Sequence, residues 1–389
     1  MTIGKWARLV LMAAPLLAGC KGFWDAPTSP GGGTGTTTAS SGNFYVLNAQ
    51  TSQVAAFYIN AGVVTGLPGS PYALSAAPIA IAVAPGNAFL YVSTANGIYL
   101  YNISSNGQLT LGNSGGPISS DQAASMQVDA TGSWLVEAVS GSAHVYAIPI
   151  NPSTGVATST VEQFVALPAS TVQQLTISPD NAHVFIAMGA GGTASIPFTA
   201  GNGNPLGAVT SIAVKNSAGA ALSVAVDPSN RIFYIGETVA TSGSNTGGLR
   251  AFNLSTMKEL SGSPYPSQGL APYAILPIST GDYVYVANRQ VSGSSTGVIA
   301  GFSIASSSNI FSLSVYSLTA LGSTFQAGTN LVGLAEDNTG TFVLAVNFGG
   351  NPDLTGYTFD TTHAGYLDSV ISSNTGTDPV AASAIAAAH

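Results

Sequence analysis

The chain has 389 residues, 16 acidic and 8 basic, giving a formal net charge of −8, and only 6% of it is charged. So few cations exclude a nucleic-acid surface, which needs a basic patch. One cysteine excludes an intramolecular disulfide, while 46 glycines and almost no helix-forming periodicity point to an all-β chain of many short strands and turns.

The first residues read as an address. Lys5 and Arg8 precede a short apolar run over residues 9–17, followed by Leu17-Ala18-Gly19-Cys20. The run is too short to span a bilayer as a helix and predicts a signal peptide over residues 1–19. Its end resembles a bacterial lipobox, which implies a lipid on Cys20 and attachment to a membrane. Lys21 follows where retention in the inner membrane would favour aspartate, so the outer membrane of the cell envelope is expected. Residues 20–42, rich in Gly, Ser, Thr and Pro, predict a flexible tether, and residues 43–389 the folded domain. No apolar run of transmembrane length occurs in that domain.

The domain opens on Phe44-Tyr45-Val46-Leu47-Asn48, a strand with no partner before it. The organising stretch is residues 77–96: an apolar run from Ile79 to Val83, the turn Pro85-Gly86-Asn87, and a second strand, Phe89-Leu90-Tyr91-Val92. Proline fixes φ in such a turn, and Gly or Asn tolerates the reversal. The same phrase returns around Ala130, Pro179, Pro228, Ser279 and Asn338. From Pro85 the steps are 45, 49, 49, 51 and 59 residues. A period near 50 with about four strands per unit is the mark of β-propeller blades. Third strands follow at residues 53–59, 97–103, 143–150, 193–198, 248–254, 298–304 and 354–359. Gly69-Ser70-Pro71-Tyr72 recurs as Gly262-Ser263-Pro264-Tyr265 at the same place in the period.

Six complete units leave a second strand unmatched at the start and a first strand, residues 378–385, unmatched at the end. Joined, they make a seventh blade and remove two unpaired sheet edges. The expected fold is therefore an all-β, seven-bladed propeller of four-stranded antiparallel blades, closed by pairing the C-terminal strand with the N-terminal ones.

Tyr45-Val46-Leu47-Asn48, Tyr91-Val92-Ser93-Thr94-Ala95-Asn96 and Tyr285-Val286-Ala287-Asn288 resemble the repeat of YVTN-type propellers. With the SPD and DPS turns and the SPY phrase, the chain is similar to the seven-bladed lactonase family, which includes 6-phosphogluconolactonase-like and cycloisomerase-like proteins. The motifs that match build blades. The fold is what they imply most directly.

In a propeller the loops between second and third strands share a face with the start of the first strands, around the channel mouth. The residues ending the second strands are Asn48, Thr94, Val139, Met188, Glu237, Asn288 and Asn347, with Arg289 next in sequence. The loops after Glu237 and Arg289 are long, which suggests a raised wall. One reading assigns Glu237 as general base with Arg289 and Arg250 polarising a lactone carbonyl, and Asn288, Asn347 and Asn48 holding ring hydroxyls. The other pairs Glu237 with an arginine and lets the asparagines cap turns. Asp129, Asp180 and Asp227 are expected to hold turns between first and second strands. The 4 histidines share no metal-ligand spacing, no nucleotide fingerprint occurs, and no metal or cofactor is expected.

Only Lys215, Arg231, Arg250, Lys258 and Arg289 supply positive charge in the domain, too few for a phosphorylated sugar. The leading expectation is a lipid-anchored envelope propeller that binds an envelope protein or glycan. The alternative is a lactonase-like hydrolase or isomerase acting on a lactone or sugar acid.

Overall fold

The computed structural model describes residues 42–308, 314–350, 352–373 and 382–388. The expected signal peptide, Cys20 and the expected tether over residues 20–42 lie outside the described residues, apart from Gly42. Asn48 closes the first described strand, Asn43–Asn48, which is buried along its whole length.

Seven antiparallel sheets stand around one axis. Blade 2 is typical: Pro78–Val83, Phe89–Thr94, Gly97–Ile103 and Leu109–Leu111 pair in sequence order. Blade 3 begins with Ala123–Val128, blade 4 with Gln174–Ile177, blade 5 with Ala221–Val226, blade 6 with Pro272–Pro277 and blade 7 with Leu331–Glu336. These first strands are innermost, and each lies beside that of the next blade. Blade 1 takes its innermost strand, Ala382–Ala387, from the C-terminal part of the chain. That strand pairs antiparallel with Asn43–Asn48, Phe44 opposite Ala387 and Asn48 opposite Ala382, so the expected closure is what the chain does.

The second strands explain why the ring holds. In a strand, alternate side chains leave opposite faces. Here both faces meet a neighbouring blade, so the strands read as continuous apolar runs instead of alternating ones. In blade 3, Trp134, Val136 and Ala138 pack on Val184, Ile186 and Met188 of blade 4. Leu135, from the opposite face, packs on Tyr91 and Leu100 of blade 2. Among the described residues there is one apolar cluster for each of the seven interfaces. Each fully buried Leu, Ile, Val or Phe contributes about 1.5–3 kcal/mol.

Between first and second strands, aspartate carboxylates hold the turns. Asp129, fully buried, accepts from the backbone N–H groups of Thr131, Ser133 and Trp134 at 2.7–2.9 Å. Asp337 does the same for Thr339, Thr341 and Phe342. Asp227 accepts from Ser229 and also pairs with Arg231 at 2.6 Å. The repeated SPY phrase likewise makes one local structure twice. Ser70 Oγ accepts from the N–H of Ala56, and Ser263 Oγ from that of Ala251, each on the third strand of its blade.

Blade 6 departs from the expected strand lengths. Its outer strands run Thr296–Ser308 and Ser314–Thr329, well beyond residues 298–304, because their pairing continues from Ser303 opposite Thr319 to Ser308 opposite Ser314.

Candidate functional site: the central channel and the residues around it

All seven first strands line the central channel. A cavity of ≈ 370 Å³ touches Ile81, Ser125, Gln174, Tyr273, Leu334 and Ile385, among others. First strands expose an unpaired inner edge, and buried N–H groups need acceptors. In blades 3 to 5 polar side chains provide them. Ser125 Oγ accepts from the N–H of Leu175, Gln127 Oε1 from Ile177 and Gln174 Oε1 from Val224, at 2.9–3.0 Å. The wall formed by blades 6, 7, 1 and 2 is more apolar, with Leu276, Leu334, Ile385, Ile81 and Val83.

The roomier mouth opens on the side of the turns between first and second strands. Two lobes there, ≈ 490 and ≈ 570 Å³, both reach Val83 and Gln127. The sequence places the ligand face at the other mouth, where second strands end. At that mouth the segments between blades cover the ends of the second strands, Lys215 N–H bonding Glu237 and Ser267 bonding Asn288, and the long loops bond each other. Ser292 N–H, for example, donates to Asn245 Oδ1 at 3.1 Å, tying the two long loops to each other.

None of the expected site residues is among those that line the three channel cavities, but Arg289 packs on one that does. It is half-buried, and its guanidinium lies 5.2 Å from the ring centre of Tyr273, which lines the cavity. Glu237, Arg250, Asn288, Asn347 and Asn48 are instead buried, between 0% and 6% exposed. The expectation that they form an open rim is corrected by this burial.

Glu237 sits in a closed network. Its Oε1 accepts from Arg250 Nη1 at 2.7 Å, and its Oε2 from the backbone N–H of Lys215 at 2.8 Å. Arg250 also donates to the carbonyl of Ala213 and grips Glu259 through Nε and Nη2, both at 3.1 Å. Lys215 Nζ and Ser263 Oγ complete the shell of Glu259. Burial opposes charge on Arg250, but its hydrogen bonds to Glu259 and Glu237 outweigh this and raise its pKa. Burial likewise pushes Glu259 up, yet Arg250, Ser263 and Lys215 together hold it below the usual carboxylate value. The network joins the end of blade 4 to blade 5, and all four carboxylate oxygens of Glu237 and Glu259 are engaged.

The asparagines do similar work. Asn288 accepts from Ser267 Oγ at 2.7 Å and donates to the Ser267 carbonyl at 2.5 Å, pinning the segment that leads into its own blade. Asn347 Nδ2 reaches the Pro352 carbonyl and Thr355 Oγ1 at 3.4 and 3.3 Å. Asn48 makes no side-chain hydrogen bond among the described residues.

Sequence reasoning passed over one acidic group. Glu137 lies on the second strand of blade 3, Trp134–Val139. The corresponding positions facing the preceding blade are Val46, Val92, Ile186, Ile235, Val286 and Ala345. A glutamate in a column that is apolar in the other six blades was the available signal. Glu137 is 0% exposed, among the described residues no N–H or hydroxyl donor reaches either oxygen, and carboxylate atoms of Asp121 and Glu162 lie within 4.8 Å. Burial, then the close carboxyl–carboxyl contact with Asp121, then the charges of Asp121 and Glu162 push its pKa well up.

Comparison with known proteins follows the same outline. Residues 35–174 match the family model described as Lactonase, 7-bladed beta-propeller. The chain is a seven-bladed β-propeller, and its first part is similar to that family. Its fold is shared with a candidate 6-phosphogluconolactonase from Bacteroides fragilis (TM-score 0.67, 13% identity, 90% of this chain and 99% of that one). A candidate 6-phosphogluconolactonase from Bacteroides uniformis gives TM-score 0.66 and 14% identity over 86% and 98% of the two chains. The periplasmic gluconolactonase of Pseudomonas aeruginosa gives TM-score 0.60 and 17% identity over 86% and 97%. Among curated proteins none matches this sequence. At such identities the likeness concerns the propeller fold, and activity must be argued from this chain's own side chains.

Proposed function

We propose that this lactonase-like propeller is a non-enzymatic binding module of the cell envelope, carried by a lipid on Cys20, with the central channel as its ligand seat. The observation that carries the reading is the closed state of Glu237. A general base must have a free lone pair within reach of water. Both Glu237 oxygens are engaged, one by a guanidinium and one by a backbone N–H, at 1% exposure.

The lining of the channel indicates the ligand class. Its two larger lobes are bordered by apolar side chains, amides and hydroxyls, with Glu336 and Asp337 and no lysine or arginine. Glu336 is itself engaged by the N–H and hydroxyl of Ser279. This suits an uncharged, partly apolar group, such as a protein segment or a neutral glycan, and disfavours phosphate esters.

The second reading, hydrolysis or isomerisation of a neutral lactone, is supported by the family match over residues 35–174 and by Arg289 lying over Tyr273, which lines the channel cavity. A panel of neutral and acidic lactones, followed by pH-stat with the full chain, separates the two. The binding reading expects no turnover. Turnover that disappears in both Glu237→Gln and Arg289→Ala, with folding intact, would establish the hydrolase and remove the binding reading. Cys20→Ser is expected to release the protein from membrane fractions. Retention of that variant would overturn the lipid anchor.

A further inference from the structure

We infer that Asp121, Glu137 and Glu162 form a binding site for one hard divalent cation, Ca²⁺, at the junction of blades 2 and 3. The site lies away from the channel, and the inference does not depend on the channel's ligand.

Asp121 stands just before the first strand of blade 3, Glu137 on its second strand and Glu162 just before its fourth, Gln163–Ala166. The blade thus brings together three carboxylates that lie 16 and 25 residues apart in turn. Their candidate ligand atoms are all within 4.8 Å of one another. A Ca²⁺ ion holds oxygens at about 2.3–2.6 Å and so bridges pairs up to about 5 Å apart, whereas Mg²⁺, at about 2.0–2.1 Å, demands a tighter set. The donors are all oxygen, the chemistry of a hard cation and not of zinc or copper.

A cluster of acidic groups is common on protein surfaces and proves nothing alone. The independent observation is the state of Glu137. It is fully buried and directed at the other two, and among the described residues neither of its oxygens meets an N–H or hydroxyl donor, only the Asp121 and Glu162 carboxyls. A buried carboxylate without a partner costs several kcal/mol in ionised form, and the other blades avoid that cost with Val, Ile or Ala at the same position. No protein cation meets the need among the described residues. Arg231 is paired with Asp227, Arg250 and Lys215 with Glu259, Arg289 lies over Tyr273, and Lys258 is exposed on blade 5.

The surroundings are ordered for such a role. Ser119 Oγ donates to Glu162 at 3.3 Å and accepts from the N–H of Asp121 at 3.1 Å. The Ser119 carbonyl is held by the N–H of Ile98 in blade 2 at 2.9 Å. A cation here would therefore join the start, the second strand and the fourth-strand approach of blade 3 close to the third strand of blade 2. Asp121 and Glu162 are half-buried, which leaves the ion a route from solvent, and water would fill the remaining positions.

The test is calorimetric titration of the chelator-treated full chain with CaCl₂ alone, repeated with MgCl₂, beside thermal melting with and without Ca²⁺. Wild type is expected to bind one equivalent and to melt higher with Ca²⁺. Glu137→Val, the residue of neighbouring blades, is expected to lose at least roughly 100-fold in affinity, more than an outer-shell change gives. Its cation-free melting point should equal or exceed that of cation-free wild type. Glu137→Gln keeps the volume and should also lose binding, which guards against a repacking artefact. No heat and no melting shift at millimolar Ca²⁺ in wild type would overturn the site, as would undiminished binding in Glu137→Val.

Discussion

The hydroxyl of Tyr91, in blade 2, donates a 2.8 Å hydrogen bond to the carbonyl of Gly155, in the outer hairpin of blade 3. The same link joins Tyr45 to Gly107 at 3.0 Å and Tyr285 to Gly365 at 2.7 Å. Each tyrosine fills the interface with its ring and ends on the next blade. Each glycine has φ between +70° and +81°, the conformation that turns the hairpin and presents its carbonyl inward. The recurrent Tyr-Val of the second strands is thereby a fastening between blades.

Tyr234 occupies the same position in blade 5, but among the described residues its buried hydroxyl has no hydrogen-bond partner. In blade 6 the outer hairpin runs on as paired strands past this level and offers no such turn. Tyr91→Phe should therefore cost about 1 kcal/mol, and Tyr234→Phe should be neutral or slightly stabilising. Urea unfolding of the two variants checks this, and equal losses would contradict it.

The Glu237–Arg250–Glu259 network should behave as a structural clasp. Arg250→Ala leaves Glu237 buried at 1% exposure without its cation, a change that typically costs about 3–5 kcal/mol. The expected result is a marked fall in the urea midpoint. A variant as stable as wild type would show that the pair does not hold blades 4 and 5 together.

Glu259 gives the clasp a pH dependence. Its folded pKa lies below its ordinary 4.5, so between the two values the unfolded chain binds more protons than the folded one. Its stabilising contribution is complete above pH 4.5 and is lost as pH falls through the lower, folded value. Melting curves from pH 6 downward should lose stability in that acid window, and Glu259→Gln should flatten this part of the profile. An unchanged slope in the variant would assign the acid sensitivity to other carboxylates.

The propeller was legible in the sequence because its signals are local and repeated. Turn residues every 50 or so positions, apolar second strands and two complementary half-blades at the ends need no knowledge of the third dimension. The closure of the ring on Asn43–Asn48 follows from them, while the closing strand itself, Ala382–Ala387, sits further along the chain than the expected residues 378–385. The turn-holding role of Asp129 and Asp227 was legible for the same reason, since a carboxylate bonding the next few N–H groups is a short-range event.

The chemistry of the column that ends the second strands depended on the tertiary structure. Period and register place Glu237, Asn288 and Asn347 at one level of the ring. They cannot say whether that level faces water, since this depends on segments of other sequence position folding over it: Lys215 over Glu237, Ser267 over Asn288, Pro352 over Asn347. Glu137 is the converse case. Its neighbours in sequence are those of an ordinary buried strand, and only the return of blade 3 brings Asp121 and Glu162 beside it. The sequence by itself determined the ring, its seven blades and its closure, because backbone pairing and apolar alternation are set by short-range pattern. The tertiary structure decided which polar groups are spent on holding blades together and which are left without a partner, because burial belongs to the packed interface between blades.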